Sequence, residues 1–133
     1  ALTVIDDYGH HPNELLAVFE TVRNHWKDRR IFAVFQPHRY SRTKELFDDF
    51  VNVLSSTGAL LLLEVYSAGE AKVSGADSKS LAEAVRARRQ VAPIFVENLR
   101  QAHEMIEEIA EENDVLVFLG AGSISGLVRD FVS

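Results

Sequence analysis

The sequence predicts an α/β fold in which a doubly wound, mainly parallel sheet carries helices on both faces. Short apolar runs alternate along the chain with stretches whose apolar residues recur at helical spacing. The runs at 31–35, 59–63 and 115–119 are apolar throughout, as expected of strands covered by helices on both sides. No linker, repeat or low-complexity segment interrupts the alternation, so we expect a single domain over residues 1–133.

Five strands and five helices are predicted. The strands are placed at 2–6, 31–35, 59–63, 93–96 and 115–119. The helices are placed at 13–27, at 43–54, from a cap at Ser80 or Asp77 to Arg89, from a cap at Asn98 through Ala110, and from Ile124 to Phe131. Pro12 suits the first position of the first helix, whose buried stripe is assigned to Leu15, Leu16, Phe19, Val22 and Trp26. Such an order of elements is Rossmann-like.

Composition narrows the class of protein. The chain has 133 residues, 47% of them hydrophobic, and a net charge of −6, which is typical of a globular domain and unfavourable for nucleic-acid binding. The absence of cysteine excludes disulfides and thiolate metal sites. No apolar run approaches the roughly 20 residues that a membrane span requires. Because the chain opens on a strand and without methionine, we expect a domain of a longer protein.

The loop after the second strand concentrates positive charge. In Phe35-Gln36-Pro37-His38-Arg39-Tyr40-Ser41-Arg42-Thr43, Pro37 ends the strand and a helical period follows. Two arginines three residues apart at a helix start can hold a carboxylate or phosphate by parallel hydrogen bonds. The alternative is that His38, Arg39 and Arg42 are surface charges paired with acids, although an exposed pair contributes only about 0–1 kcal/mol.

The loop after the first strand, Asp6-Asp7-Tyr8-Gly9-His10-His11-Pro12, is the second candidate. Asp7 could accept hydrogen bonds from ribose hydroxyls, as acids at strand ends do in nucleotide-binding folds. The alternative is that the acid binds turn amides and that a histidine before Pro12 caps the helix. A metal site on His10 and His11 is not predicted, because adjacent side chains diverge and no third ligand is evident.

The two candidate loops are expected to lie side by side. Sequential strands of such sheets are neighbours about two-thirds of the time, and ligands bind at the carboxyl ends of the strands. The Gly120-Ala121-Gly122 turn after the last strand is weaker evidence for a ligand, because close packing of strand and helix explains it equally well. No Gly-x-x-x-x-Gly-Lys-Ser/Thr loop is present, so the chain alone has no recognisable triphosphate cradle.

Both loops, at 6–12 and 35–43, closely resemble motifs of the C-terminal domain of the Mur ligases, as do the stretches at 64–70 and 120–124. The resemblance covers the whole chain. It implies a cytoplasmic, ATP- and Mg2+-dependent step of peptidoglycan synthesis, in which L-alanine is added to UDP-N-acetylmuramate through an acyl phosphate. It also implies an N-terminal UDP-sugar domain and a central ATPase domain, which holds most of the magnesium, so that this domain alone should be inactive.

The resemblance also implies roles for individual residues. Asp7 would bind the ribose of ATP. Arg39 and Arg42 would hold the alanine carboxylate, while Tyr8, His10 and His38 shape the pocket near the acyl phosphate. The catalytic set is thus His10, His38, Arg39 and Arg42, acting by position and charge, with no metal ligand in this chain.

Other functions remain open from the sequence. They are a related ligase that recycles a muramyl tripeptide, a free-standing nucleotide- or anion-binding regulatory module, and a histidine metal hydrolase. Whether the loop at 67–77 touches a ligand is also left open.

Overall fold

The structure, a computed structural model, describes residues 2–131, which fold around one parallel sheet. Its strands are β1 (Thr3–Asp7), β2 (Ile31–Phe35), β3 (Ala59–Leu63), β4 (Pro93–Val96) and β5 (Val115–Leu119). Their order across the sheet is β1-β5-β2-β3-β4, and each neighbouring pair is parallel. The predicted strands are therefore confirmed, with β1 displaced by one residue so that it ends on Asp7.

The helices lie on both faces of the sheet, as predicted. They are α1 (Pro12–His25), α2 (Tyr40–Glu45), α3 (Phe47–Leu54), α4 (Ser78–Ala87), α5 (Leu99–Ile109) and α6 (Ser125–Val128). Buried side chains of α1, α3 and α4 pack with Ile31, Ala33 and Phe35 of β2 on one face. Those of α5, with Leu127 and Val128 of α6, pack with Phe32 and Val34 on the other. The alternation of β2 side chains between two cores confirms the doubly wound, single-domain prediction.

The expected adjacency of β1 and β2 is wrong, because β5 lies between them. All five residues of β5 are buried, whereas β1 carries Thr3, Asp6 and Asp7 and is only partly buried. The fully apolar strand takes the centre and the polar strand takes the edge. The helix that follows β5 lies on the opposite face from those that follow β1 and β2. The crevice of an open α/β sheet therefore falls at the carboxyl ends of these three strands.

The predicted helix at 43–54 is also corrected. It begins earlier, at Tyr40, and is divided into α2 and α3 at Leu46, whose φ of −108° and ψ of 21° leave the helical region. Leu46 and Phe47 both pack against the core through this bend, so tertiary contacts override the helical period. In α1, Leu16 is 40% exposed and lies outside the buried stripe, while Val18 packs against the core.

Three local signals at helix starts are confirmed, and the alternative cap at Ser80 is wrong because Ser80 lies within α4. Pro12 is the first residue of α1, and Asn98 caps α5 by accepting from the Gln101 amide. Asp77, the second of the two caps considered, begins α4 by accepting from the Ser80 amide at 2.9 Å. No helix within residues 2–131 has the length and apolar character needed to cross a bilayer.

Candidate functional site

The loop after β1 forms a tight turn into α1. The Gly9 amide donates to Asp7 Oδ1 at 2.7 Å, and a Cβ at Gly9 would lie only 2.9 Å from that oxygen. Glycine thus lets the backbone close onto the carboxylate. Among residues 2–131 the Asp7 carboxylate accepts no other hydrogen bond, so Oδ2 remains able to accept from a hydroxyl of a ligand.

His11 serves as the cap of α1. Its Nδ1 accepts from the Asn13 amide at 3.1 Å, while Glu14 Oε1 accepts from the His11 amide at 3.0 Å. This reciprocal capping box satisfies two amides that the first helical turn leaves unpaired. The turn therefore uses Asp7 to accept from a turn amide and His11 to cap the helix, as the alternative from the sequence expects. Tyr8 is 71% exposed.

The loop after β2 orders an imidazole and a guanidinium together. Arg42 Nη1 lies 3.2 Å from His38 Nδ1 and donates to the His38 carbonyl oxygen at 3.2 Å. The Arg39 side chain is exposed, and its backbone has a φ of 72°, which is uncommon for a residue other than glycine. Such strained conformations persist only where the surrounding structure holds them, and they occur frequently at functional sites.

Four of the predicted residues come together at the carboxyl edge even though β5 separates their strands. The rings of His10 and His38 are 6.0 Å apart, centroid to centroid. Partial burial lowers the pKa of His38 below its usual value, and the nearby charges of Arg42, His10 and Arg39 lower it further. These contacts bring His10, His38 and Arg42 together, and Arg39, with an exposed side chain, directly follows His38 in the chain.

The other two predicted residues stand apart from this cluster. Asp7 lines a cavity of about 400 Å³ between β1 and α1, whose apolar walls include Ile5, Val18 and Trp26. The carbonyl oxygen of Tyr8 lies 3.2 Å from His10 Nδ1, and Tyr8 is largely exposed. Within the described chain no group of three His, Asp or Glu side chains could hold a metal ion.

Two residues for which no role is predicted from the sequence connect the loops. Gln36 is buried, accepts from the Ile124 amide at 3.1 Å and donates to the Glu64 carbonyl oxygen at 3.4 Å. It thereby joins the segments that follow β2, β3 and β5. Tyr66 lies parallel to His38, with ring centroids 5.5 Å apart and an interplanar angle of 12°. A polar Gln at the end of an apolar strand is the signal that could have marked the first of these.

The glycine turn after β5 is a packing feature. A Cβ at Gly120, whose φ is 148°, would lie 2.9 Å from the Gln36 carbonyl oxygen. A Cβ at Gly122 would lie 2.6 Å from Cγ of Tyr66. Both glycines admit a neighbouring loop at close range, which favours the packing interpretation of this motif over a phosphate cradle.

The assembled site has the donors needed to bind an anion. Arg39 and Arg42 supply guanidinium donors, which suit carboxylate and phosphate oxygens. Because a guanidinium only donates, the Arg42 contact requires His38 Nδ1 to be unprotonated and to accept. The low pKa of His38 agrees with that requirement. A guanidinium and an imidazole ordered in this way can orient an anion and stabilise its charge.

Comparison with known proteins identifies the family to which the chain is similar. Residues 1–122 match the family model described as Mur ligase, glutamate ligase domain. The chain is 52% identical over 128 residues to a UDP-N-acetylmuramate--L-alanine ligase of Methylococcus capsulatus, covering 96% of this chain and 27% of that protein. It is 54% identical to a relative of the same name from Halorhodospira halophila, covering 96% of this chain and 26% of that protein. It thus spans about a quarter of the length of these curated relatives.

Solved structures agree with this assignment. The UDP-N-acetylmuramate-alanine ligase MurC of Thermotoga maritima superposes with a TM-score of 0.77 at 28% identity, over 98% of this chain and 26% of that one. A murein peptide ligase of Psychrobacter arcticus shares the fold, with a TM-score of 0.71 at 16% identity, over 97% of this chain and 26% of that one. The resemblance read from the two loop motifs is thereby confirmed, and the chain belongs to the Mur ligase family.

Proposed function

We propose that residues 1–133 are the C-terminal domain of a cytoplasmic ATP-dependent ligase that adds L-alanine to UDP-N-acetylmuramate. The observation that carries the proposal is the convergence of His10, His38, Arg39 and Arg42 at the carboxyl edge, in a chain about half identical to ligases of that name. The remaining three-quarters of such a protein would supply an N-terminal UDP-sugar domain and a central ATPase domain. We call that whole polypeptide the complete ligase.

In this proposal the muramyl carboxylate takes the γ-phosphoryl group of ATP and releases ADP. The amine of L-alanine then attacks the acyl phosphate, forms the amide and releases inorganic phosphate. The central domain would hold most of the Mg2+, as the resemblance to the Mur ligases implies. This domain contributes by holding the amino acid at attack distance, where orientation can supply up to about 7–11 kcal/mol of the barrier.

Each site residue has a proposed role. Arg39 and Arg42 bind the alanine carboxylate. His38 orients the Arg42 guanidinium through Nδ1, and with His10 and Tyr8 it shapes the pocket around the acyl phosphate. Asp7 Oδ2 accepts from a ribose hydroxyl of ATP, a role that the remaining acceptor capacity of this carboxylate permits.

The experiment is an amino-acid-dependent ADP-release assay on the complete ligase with UDP-N-acetylmuramate and ATP. We expect turnover with L-alanine and none with the muropeptide tripeptide that a recycling ligase would use. Turnover with the tripeptide but not with L-alanine would overturn the assignment in favour of that ligase.

A parallel binding measurement on the isolated 133-residue chain tests the regulatory alternative. Half of a composite site should bind ATP poorly, so calorimetry should detect no affinity in the micromolar range. Micromolar binding of ATP by the isolated chain would instead favour a free-standing nucleotide-binding module.

A further inference from the structure

The segment from His38 to Glu45, here called the arginine segment, has no local side-chain cap at the start of its helix. α2 begins after Arg39, and this N-cap residue makes no side-chain hydrogen bond to the first helical turn. Its φ of 72° is a conformation that a non-glycine residue adopts at a cost. Contacts within the segment hold Arg42 to His38 and Thr43 to Arg39, but they leave the helix start without a cap, so contacts from other loops complete it.

The loop after β3 turns back towards α2 at Glu70. The Glu70 amide donates to the Ser67 carbonyl oxygen at 3.0 Å, which closes a four-residue turn. Its two central residues both have positive φ, 51° at Ala68 and 89° at Gly69. Glycine adopts this conformation freely, whereas alanine is strained in it. A second non-glycine residue with positive φ thus lies beside the candidate site.

The carboxylate of Glu70 takes the place of the missing cap. Its Oε1 accepts from the Ser41 amide at 3.1 Å, and its Oε2 accepts from the Ser41 hydroxyl at 2.6 Å. The first bond satisfies an amide that the first turn of α2 leaves unpaired. The hydroxyl and amide of Ser41, with the charge of Arg39, lower the pKa of Glu70 below its usual value, so the acceptor stays ionised near neutral pH.

Backbone contacts fix the base of the same loop to the arginine segment. The Arg39 amide donates to the Tyr66 carbonyl oxygen at 2.8 Å, and the Tyr66 amide donates to the Pro37 carbonyl oxygen at 2.8 Å. Thr43 Oγ1 donates to the Arg39 carbonyl oxygen at 2.9 Å from within α2. The strained residue is therefore held on both of its backbone polar groups, and Glu70 supplies the contact to the turn that follows.

We propose that Glu70 is a positioning residue for the amino-acid site, because through Ser41 it holds the first turn of α2 and hence the side chains of Arg39 and Arg42. The proposal rests on the proposed function of these arginines. Both carboxylate oxygens of Glu70 are already engaged, and its charge would repel a substrate carboxylate. Glu70 therefore acts through Ser41 and does not touch the amino acid.

The test compares steady-state kinetics of Glu70→Ala and Glu70→Gln in the complete ligase. Glu70→Ala should raise KM for L-alanine about 10-fold, while KM for ATP and for UDP-N-acetylmuramate stays within about twofold. Glu70→Gln should restore most of the affinity, because the amide can accept from the Ser41 amide and donate to its hydroxyl. Glu83→Ala, which removes an exposed acid on α4, is the matched control and should behave as wild type.

Ser41→Ala alone provides a second measurement, which stands even if Glu70→Ala folds poorly. An unchanged KM for L-alanine in a folded Ser41→Ala ligase would overturn the coupling. Ser41→Ala keeps the amide and loses the hydroxyl contact, so KM for L-alanine should rise about threefold. In a Ser41→Ala background, Glu70→Ala should raise that KM by less than it does in the wild type, because the hydroxyl that donates to Glu70 is already absent. Full additivity of the two changes would overturn the coupling through the Ser41 side chain.

Failure of the proposed function and failure of the positioning role of Glu70 give different kinetic results. A wild-type ligase with no dependence on L-alanine would overturn the proposed function. A wild-type ligase that uses L-alanine, together with a folded Glu70→Ala variant whose KM for L-alanine is unchanged, would overturn only the positioning role. An equal rise in KM for all three substrates would also overturn it, since that is the result of a general loss of structure.

Discussion

Arg42 binds His38 at two points, with Nη1 at 3.2 Å from both the imidazole Nδ1 and the carbonyl oxygen of that residue. The guanidinium can only donate, so the contact selects the His38 tautomer that carries its proton on Nε2. Protonation of Nδ1 would turn an acceptor into a donor and break the contact. The orientation of the proposed carboxylate-binding arginine is therefore linked to the charge state of one histidine.

His38 should titrate below the usual range of histidine in the 133-residue chain. Partial burial favours the neutral ring, and the charges of Arg42, His10 and Arg39 add to that preference, while Glu70 opposes it. Arg42→Ala should raise the pKa of His38, as measured by NMR titration of its ring protons. Lys44→Ala removes a charge elsewhere on α2 and should leave the His38 curve unchanged.

The same shift has a consequence for stability. The folded chain binds the His38 proton less tightly than the unfolded chain, whose pKa is about 6.5, so the unfolded chain binds more protons below that pH. The contribution of His38 is fully present above about pH 6.5 and is lost as the pH falls towards its folded pKa. A His38 pKa that does not move in Arg42→Ala would contradict the proposed contact.

Gly122→Ala, in the turn that follows β5, should change the packing of Tyr66 on His38 and lower the unfolding free energy. The new Cβ would lie 2.6 Å from Cγ of Tyr66, so the ring must move and its parallel packing on His38 must change. We expect a loss of about 1–3 kcal/mol in unfolding free energy by urea titration, with altered His38 ring shifts. Gly126→Ala in α6 is the control, because its Cβ would meet nothing within 4 Å. It should be neutral or stabilising by up to about 1 kcal/mol, and equal behaviour of the two variants would contradict the packing.

Arg30 and Asp114 form an ion pair at the opposite edge of the sheet from the candidate site. Arg30 donates from Nε to Asp114 Oδ1 at 2.9 Å and from Nη2 to Oδ2 at 2.7 Å, and Asp114 is 1% exposed. Arg30→Met would leave the buried carboxylate without its cation and should cost about 3 kcal/mol of unfolding free energy. Adding Asp114→Asn removes that charge and should recover part of the loss. An Arg30→Met variant as stable as the wild type would show that the ion pair contributes nothing to the unfolding free energy.

The sequence predicts the layers of this fold well because burial determines them. Strands such as 115–119 are apolar on both faces, and caps such as Asn98 act within a few residues, so both are visible in the sequence. The position of β5 between β1 and β2 was missed, because the adjacency rule reflects only a common tendency and the burial of whole strands decides the order. The bend at Leu46 was missed for a similar reason, since packing produces it without proline or glycine.

The candidate site likewise contains some features that the sequence predicts and others that it does not. His38, Arg39 and Arg42 are visible because several charged and polar groups follow one strand. Tyr66 and Glu70 lie in the stretch at 64–70 that resembles the family, but their contacts with the segment are not visible in the sequence. They lie about 30 residues further along the chain and reach the segment only through the alignment of β2 with β3. The pattern of apolar residues locates the strands, but it does not specify which loop side chains meet beyond the ends of neighbouring strands.

The central claim is that Arg42 binds the carboxylate of the amino acid, and the KM for L-alanine of Arg42→Ala in the complete ligase tests it most directly. Loss of a partly buried guanidinium that meets a carboxylate should cost about 1.5–3 kcal/mol, which corresponds to a rise of roughly 10- to 100-fold in that KM. KM for ATP should stay within about twofold, and Arg42→Lys should recover only part of the loss because it lacks the planar fork. A folded Arg42→Ala ligase with an unchanged KM for L-alanine would contradict the account.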